Sequence, residues 1–486
     1  MAAMENAAFL LYLSLLASTT LVHANFNVAA RTDDGSEQWG YGEVRPKAHM
    51  FWWLYKSPYR VEDPSKPWPI LLWLQGGPVR GFRSWVWEFC RNWTVGYKFG
   101  TSKLNLTQES RSLDSPVGTG FSCIEDDNLA VKTDVESATG LTTLLKELFN
   151  GNKSLQRSPL YIFAESYGGK FAVTLGVAAL QAIEKGELKL QLGGVALGYS
   201  WISHEDYVFS WGPVLKTMSC LDDGGLNRSN SFAYLTEQDN PSCKSSVAQK
   251  IQLQLVDGQF EDATGSFFDL EQVIADGSND VDFYNFMLDA GTEGLGVKGY
   301  STYLTTKFSS VRGSSADLYS LMNGPIKKKL KIIPKNVSWG GQNIVFDALA
   351  GDFMRPRIAE VDELLAKGIN VTVYNGHIDL ICATKGTEAW MNKLKWDGLP
   401  NFLSTSRAPL YCRSDDIPTT KGFLASYKNL FFYWILGAGH FVSSSRTALR
   451  FSANGGQHYP IAEYFNLNFE KATEESSVKV DDQISL

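Results

Sequence analysis

The chain has 486 residues, 44% hydrophobic, 13% aromatic and 20% charged, which is ordinary for a globular protein and favours a large, well-packed core. Its net charge of −7, with no basic stripe interleaved with aromatics, argues against a nucleic-acid partner. The length permits two or three domains, or one α/β domain with a large insertion.

Residues 8–22, AFLLYLSLLASTTLV, form an apolar run too short to span a bilayer comfortably. Val22, His23 and Ala24 then offer small residues where a signal peptidase reads, so residues 1–24 are expected to be a signal peptide. The other reading is an N-terminal anchor. No later stretch reaches about 18 apolar residues, so no membrane span is expected after signal removal.

Apolar runs ending in glycine turns follow at 69–77 (PILLWLQGG), 159–169 (PLYIFAESYGG), 193–201 (GGVALGYSW), 369–376 (INVTVYNG) and 430–439 (LFFYWILGAG). They show little period-two alternation, as strands of a parallel sheet covered on both faces would. Between Lys170 and Glu187, Phe171, Val173, Leu175, Ala178, Leu180 and Ile183 recur among polar residues, and Gly186 marks the end of a predicted helix. Strand and helix in alternation predict an α/β fold with a mostly parallel sheet. The stretch 205–335 breaks this rhythm and is expected to be an inserted cap over the C-terminal edge of the sheet. Near its end, Lys327, Lys328, Lys329 and Lys331 read as a solvated face flanking Leu330 and Ile332. From Lys471 the tail is charged and strand-poor, with disorder expected.

Six cysteines lie at 90, 123, 220, 243, 382 and 412, and none forms a CxxC pair, which disfavours zinc and thioredoxin-type chemistry. Cys220 and Cys243 are one conceivable disulfide across a polar segment. Sequons at Asn152, Asn227, Asn336 and Asn370 are glycosylation candidates that suit secretion, and two more fall at Asn92 and Asn105.

The segment 159–169 carries the sharpest chemical signal. A strand meets Glu165, Ser166, Tyr167, Gly168 and Gly169, and a helix follows at once. This is the context of a nucleophile elbow, in which a tight turn lifts the serine oxygen clear while glycines make room for backbone. Ala164 stands where the usual Gly-x-Ser-x-Gly pattern has its first glycine, a small enough replacement. A serine at a helix start is otherwise a plain N-cap. Such a serine needs a base oriented by an acid, in the order Ser, Asp, His. Asp379 follows the strand at 369–376 and His440 the strand at 430–439. Of the six histidines, His23 falls in the signal and His49 and His204 lack a strand end after the serine. His377 crowds Asp379, and His458 lies in an aberrant stretch, leaving His440.

At these residues the chain resembles the serine carboxypeptidases, α/β-hydrolases of the secretory and lysosomal or vacuolar route, and among them the retinoid-inducible branch and its plant relatives. The likeness rests on AHMFWWLY, WLQGGP, DSPVGTGFS, YIFAESYGGK, SWISHEDYVFSWGP, LMNGPIKKKLKIIP and WILGAGHFV, spread over about 39–442. It implies an α/β-hydrolase core in two parts, 25–204 and 336–442, around the cap at 205–335. It also implies Ser166 as nucleophile, His440 as general base and then acid, and Asp379 as its orienter. The amides of Gly77 and Tyr167 would form the oxyanion hole. Glu165, with Gln75 and the turn at Gly76, would hold the C-terminal carboxylate of a peptide substrate. Gln75 stands where most of the family has Asn, and Tyr199 replaces a small polar residue. Cys382 matches a free cysteine near the specificity pocket of fungal relatives, or is a buried structural thiol. Because Glu165 can donate to a carboxylate only when protonated, activity is expected to be strongest near about pH 5. No metal or cofactor is implied, and the oligomeric state is not legible.

The family needs a glycine-rich run after GGP, and this chain has instead Arg80, Arg83, Trp85 and Trp87. If RSWVWEF is encoded CGG AGT TGG GTT TGG GAA TTT, dropping one base yields GVGFGNF. A similar shift turns NGGQHYPI into MVGNITQS. Residues from about 79 to 112 and from about 443 to 486 therefore read as translated in a shifted frame. The rival reading is a true insertion that reshapes the pocket. Three functions stay open on the sequence alone: a carboxypeptidase working through an acyl-enzyme, an acyltransferase built on the same triad, and a non-catalytic or impaired homologue. The localisation expected is extracellular, lysosomal or vacuolar.

Overall fold

The sheet begins with a ribbon buried on both sides. Ala30–Arg31 (β1) pairs with Glu37–Arg45 (β2), which returns antiparallel as Ala48–Tyr55 (β3). Along β3, Ala48, Met50, Trp52 and Leu54 belong to the main core. Phe51 and Trp53 instead join Trp39 and Tyr41 of β2 in a second cluster with Phe121, Leu330 and Trp339. Period two sends alternate residues to opposite faces, and both are apolar because both are covered. Trp39 Nε1 donates to the Leu330 carbonyl at 2.9 Å, and the Tyr41 hydroxyl to the Phe121 carbonyl at 2.9 Å.

This computed structural model describes residues 29–56, 69–76, 109–230, 246–289, 320, 322–340, 342–412 and 419–440. The remaining strands are Ile70–Leu74 (β4), Glu109–Leu113 (β5), Cys123–Ile124 (β6), Pro159–Glu165 (β7), Gln191–Gly198 (β8), Asn370–Gly376 (β9), Ala408–Cys412 (β10), Thr419–Tyr427 (β11) and Leu430–Ile435 (β12). Among the described residues they form one 12-stranded sheet in the order β1-β2-β3-β5-β4-β7-β8-β9-β12-β11-β10, with β6 beside β3. The central strands β5, β4, β7, β8, β9 and β12 run parallel to their neighbours within that block. The flanks are antiparallel, so the α/β architecture with a mostly parallel core is as expected.

The helices are Asp134–Asn150 (α1), Lys153–Arg157 (α2), Gly168–Glu184 (α3), His204–Thr217 (α4), Asp223–Asn230 (α5), Val247–Val256 (α6), Phe260–Ser278 (α7), Lys327–Leu330 (α8), Gln342–Phe353 (α9), Ile358–Ala366 (α10), Thr384–Met391 (α11) and Leu399–Ser404 (α12). Helix α1 shows how local chemistry sets these bounds. The Thr133 side chain caps the Glu136 amide at 3.1 Å, and Glu136 reaches back to the Lys132 amide at 2.7 Å. Ala138, Leu141, Leu144, Leu145 and Phe149 then bury one face, and Gly151 ends the helix. Helix α3 packs against α1 and against α10, and lies across β4, β7 and β8. Helix α3 starts two residues before the predicted Lys170 because its first turn grows directly out of the turn after β7, where the Gly169 amide donates to Ser166 O at 3.0 Å.

Residues 204–230 and 246–278 are largely helical, with α4 against α11 and α7 against α9. The lysine cluster is not simply solvated: Lys329 pairs with Glu37 at 2.6 Å beneath Trp53, and Lys327 Nζ donates to the Val337 carbonyl. Strand β5 contains residues 109–112 of the interval 79–112. The signal segment 1–24, Gly77, most of 79–112 and all of 443–486 lie outside the described residues. Among the described residues no helix is long and apolar enough to cross a membrane.

Candidate active site

The pairing register lines up the C-terminal ends of the parallel strands. Leu74 lies beside Ala164, Glu165 beside Gly198, Gly198 beside Tyr374, and Gly376 beside Ile435. The segments leaving β4, β7, β8, β9 and β12 therefore open on one sheet edge and bring Gln75, Gly76, Ser166, Tyr199, Asp379 and His440 to it. Ligands of open α/β sheets bind at this edge.

Ser166 follows the last residue of β7 with φ of 55°, in the left-handed region that a non-glycine residue enters at a cost of about 1–3 kcal/mol. The turn is held from both sides. The Ser166 amide donates to Gly198 O at 3.1 Å, and Ser166 O accepts from Trp201 N at 2.9 Å. Close backbone approach explains the flanking glycines. A Cβ on Gly76 would lie 2.4 Å from Glu165 O and 2.5 Å from Tyr167 N, and one on Gly168 would lie 2.3 Å from Leu74 O. Ser166 is thus a partly exposed serine at the start of α3, where the helix dipole favours developing negative charge. Tyr167 N sits against Gly76, while Gly77, the other expected oxyanion donor, lies outside the described residues.

Asp379 and His440 are brought together. Asp379 Oδ2 is 2.9 Å from His440 Nδ1, and both side chains are fully buried. Asp379 Oδ1 accepts the Cys382 amide at 3.1 Å, so each carboxylate oxygen has a donor when Nδ1 carries the proton. Burial raises the Asp379 carboxyl above its ordinary range, opposed by His440 and by backbone donors. A clamp from residues 283–286 was not foreseen in the sequence. Phe283 O accepts from Leu380 N and Ile381 N at 3.1 and 2.8 Å, and Tyr284 O accepts from His440 N at 2.7 Å. Backbone carbonyls leave no residue-type signal in a sequence, which is why it was missed. The ligand atoms of Asp379, Cys382 and His440 lie within 4.8 Å of one another. Burial pushes the Cys382 thiol far up and keeps it protonated, a poor metal donor, while Asp379 and His440 already engage each other.

Beside this pair lies a polar chain around Glu165, which is 3% exposed. The Trp73 indole N–H donates to Gln75 Oε1 at 3.0 Å, which turns the Gln75 amide nitrogen towards Glu165 Oε2, also at 3.0 Å. Tyr199 supplies the other donor, its hydroxyl to Glu165 Oε1. Gly198 leaves space for the Tyr374 ring, whose hydroxyl is pushed well up by burial and by the nearby Glu165. Gln75, Gly76 and Glu165 therefore lie together, and Tyr199 joins them.

A second buried network underlies the serine turn. The Lys170 ammonium on α3 is fully buried between Asp134 Oδ2 at 3.2 Å and the carbonyls of Asp352 and Phe353 at 2.6 and 2.9 Å. Arg357 bridges Asp134 and Asp352 at 2.9 and 2.8 Å. Burial raises Asp134 and lowers Lys170; for Asp352 burial pushes up, but Lys170 and Arg357 outweigh it and leave it below its usual value.

Of the other histidines, His377 is exposed and His49 lies 3.2 Å from Glu125. His204 is fully buried between Trp201 and Phe353, ring centroids 4.6 and 4.7 Å away. Of the sequon residues, Asn227 and Asn336 are exposed, as is Asn152, whose side chain caps α2. Asn370 is half-buried and opens β9, with Nδ2 3.4 Å from Gly193 O. Cys220 is a free thiol, and Cys243 lies outside the described residues.

The serine carboxypeptidase family matches this chain over residues 29–81 and 112–452, passing over 82–111 and continuing into the stretch after His440. Serine carboxypeptidase-like 51 of Arabidopsis thaliana is 50% identical over 455 residues, covering 90% of this chain and 95% of its own length. Human retinoid-inducible serine carboxypeptidase is 41% identical over 423 residues, with 85% and 90% covered. In fold, the chain is similar to a prohormone-processing carboxypeptidase of Saccharomyces cerevisiae, Kex1(Δ)p, with a TM-score of 0.62, 17% identity and 92% of each chain covered.

Proposed function

The chain belongs to the serine carboxypeptidase family, and on that premise we propose that it removes C-terminal residues from peptides through an acyl-enzyme on Ser166. The observation that carries this reading is the buried Asp379–His440 pair at 2.9 Å, at the same sheet edge as a serine held at φ of 55°. In this mechanism His440 Nε2 takes the Ser166 proton as Oγ attacks the scissile carbonyl, then returns it to the leaving amine. Water hydrolyses the ester by the same route. Asp379 fixes the tautomer, and the Tyr167 amide, with Gly77, receives the oxyanion. Glu165 and Gln75 hold the terminal carboxylate beside Gly76, and Glu165 must be protonated to donate to it, so activity on free acids is highest near about pH 5. The chain enters the secretory route and works extracellularly or in the lysosome or vacuole, which the exposed Asn152, Asn227 and Asn336 sites support.

The test uses the full-length folded protein. A fluorophosphonate probe should label Ser166, and a blocked dipeptide should release its C-terminal amino acid, both lost in Ser166→Ala. Absence of labelling would overturn the catalytic reading, and a flat rate from pH 5 to 7 would overturn the role of Glu165. Faster transfer from a glucose ester to an alcohol than to water would instead assign an acyltransferase.

A further inference from the structure

His204 opens α4 fully buried, and among the described residues neither of its ring nitrogens has a hydrogen-bond partner. It stands edge to face between Trp201 and Phe353, and each of these leads straight to the reactive turn. The Trp201 amide donates to Ser166 O at 2.9 Å, and the Phe353 ring lies parallel to the Tyr167 ring at 5.6 Å. Phe267 of α7 packs on both flanking rings, at 5.7 and 5.4 Å. The surrounding charges all disfavour a proton on the imidazole. Lys170 of α3 and Arg357, after α9, act on it as like charges. Asp134 of α1 and Asp352 of α9 are engaged by those two cations, and on α4 itself Glu205 and Asp206 lie 3.6 and 2.9 Å from Lys393. The phenols of Tyr167 and Tyr207 donate to Asp134 and to Ser200 O. An imidazolium here would carry two N–H donors without an acceptor beside two like charges. The weak attraction of the flanking rings does not offset that.

We propose that His204 is a positioning residue for the nucleophile turn, and that taking up a proton there releases the turn and switches the site off in acid. The inference rests on the serine-nucleophile reading above and adds its regulation. To hold a proton, the ring must leave its place between Trp201 and Phe353, which frees Ser166 O and the Tyr167 ring together. The sign follows from linkage. Neutral His204 supports the closed turn in full above its free value near 6.5, and below that the closed-to-open ratio falls about tenfold per pH unit. A local opening costs less than unfolding the whole chain, so the turn goes first and closes again when the acid is removed.

Hydrogen exchange of the full-length protein between about pH 6 and pH 4 reads the turn directly. With intrinsic rates corrected, protection of the Ser166 and Trp201 amides should fall about tenfold per pH unit in the wild type. It should stay level in His204→Leu, which cannot take up a proton. The Val371 amide, at the opposite end of β9 and bonded to Asn429 O, should remain better protected throughout. Level protection in the wild type, the same slope in His204→Leu, or all three amides falling with equal protection overturns the proposal. Should the leucine variant fail to fold, the neutral His204→Gln takes its place, and a wild type without the slope overturns the proposal by itself. Fluorophosphonate labelling is read alongside. Its acid limb should be up to about tenfold per pH unit steeper in the wild type than in the variant, and equal limbs count against the switch. A chain that never labels but shows the exchange slope sinks the catalytic reading and leaves the acid release of the turn standing.

Discussion

The Tyr167 hydroxyl donates to Asp134 Oδ1 at 3.1 Å, so the residue after the turn serine is tied by its side chain to the first turn of α1. Its backbone amide faces the reaction edge while its phenol is rooted in the buried charge network, with the Lys170 ammonium 4.9 Å from its ring centroid. The geometry of the turn is therefore coupled to the neutrality of that network.

Removing one charge from it should be severe. Lys170→Met leaves Asp134 and Asp352 facing Arg357 alone, and an uncompensated buried charge costs about 3–5 kcal/mol. Urea denaturation should show that loss, and adding Asp134→Asn should recover part of it. Additive losses in the double variant would mean that the two residues do not share a network.

Asp379→Asn should spare the fold and remove the chemistry. The asparagine oxygen accepts the Cys382 amide in place of Oδ1, which points its NH2 at His440 Nδ1 and leaves the imidazole proton on Nε2. A base with the wrong tautomer loses about 10³–10⁴ in kcat. Rates on a chromogenic ester, with unfolding curves as control, check this.

At Gly76 the contacts of an added methyl are backbone atoms, Glu165 O and Tyr167 N, which have no rotamer to change. Gly76→Ala should cost about 1–3 kcal/mol of stability by overpacking and should slow fluorophosphonate labelling of Ser166. Wild-type labelling in the variant would show that this close approach is not needed.

His204 predicts an acid weakness. Among the described residues neither ring nitrogen has a hydrogen-bond partner, and burial, with Lys170 and Arg357 nearby, holds the imidazole well below its usual range. Its folded-state affinity for protons is depressed, so the stability it allows is present above the unfolded value near 6.5 and is lost as pH falls below it. The slope is about 1.4 kcal/mol per pH unit. Comparing denaturation at pH 7 and pH 5, His204→Leu should lose about 2 kcal/mol less than the wild type over that interval.

What the sequence made legible was local. The strand, Ser166, two glycines and a helix lie within a few residues of one another, and Asp379 and His440 each follow a recognisable strand. Charged residues separated by long stretches of chain read as surface. Asp134 and Arg357, 223 positions apart, gave no sign of forming one buried pair. Tyr199 stood out as an oddity, but its hydroxyl partner depends on the register of β7 with β8. The backbone carbonyls of Phe283 and Tyr284 have no residue-type signature at all.

The doubly covered ribbon at the start of the sheet has a consequence for synthesis. Trp39 waits for the Leu330 carbonyl, 291 positions later, before its indole N–H is satisfied. At ribosomal speeds of about 5–20 residues per second that interval is roughly 15–60 s. Phe121 can cover Tyr41 and Phe51 after about 80 residues, but until the later segment emerges the Trp39 and Trp53 side of β2 and β3 lacks Leu330 and Trp339, so this hairpin offers a nascent-chain chaperone an aromatic surface.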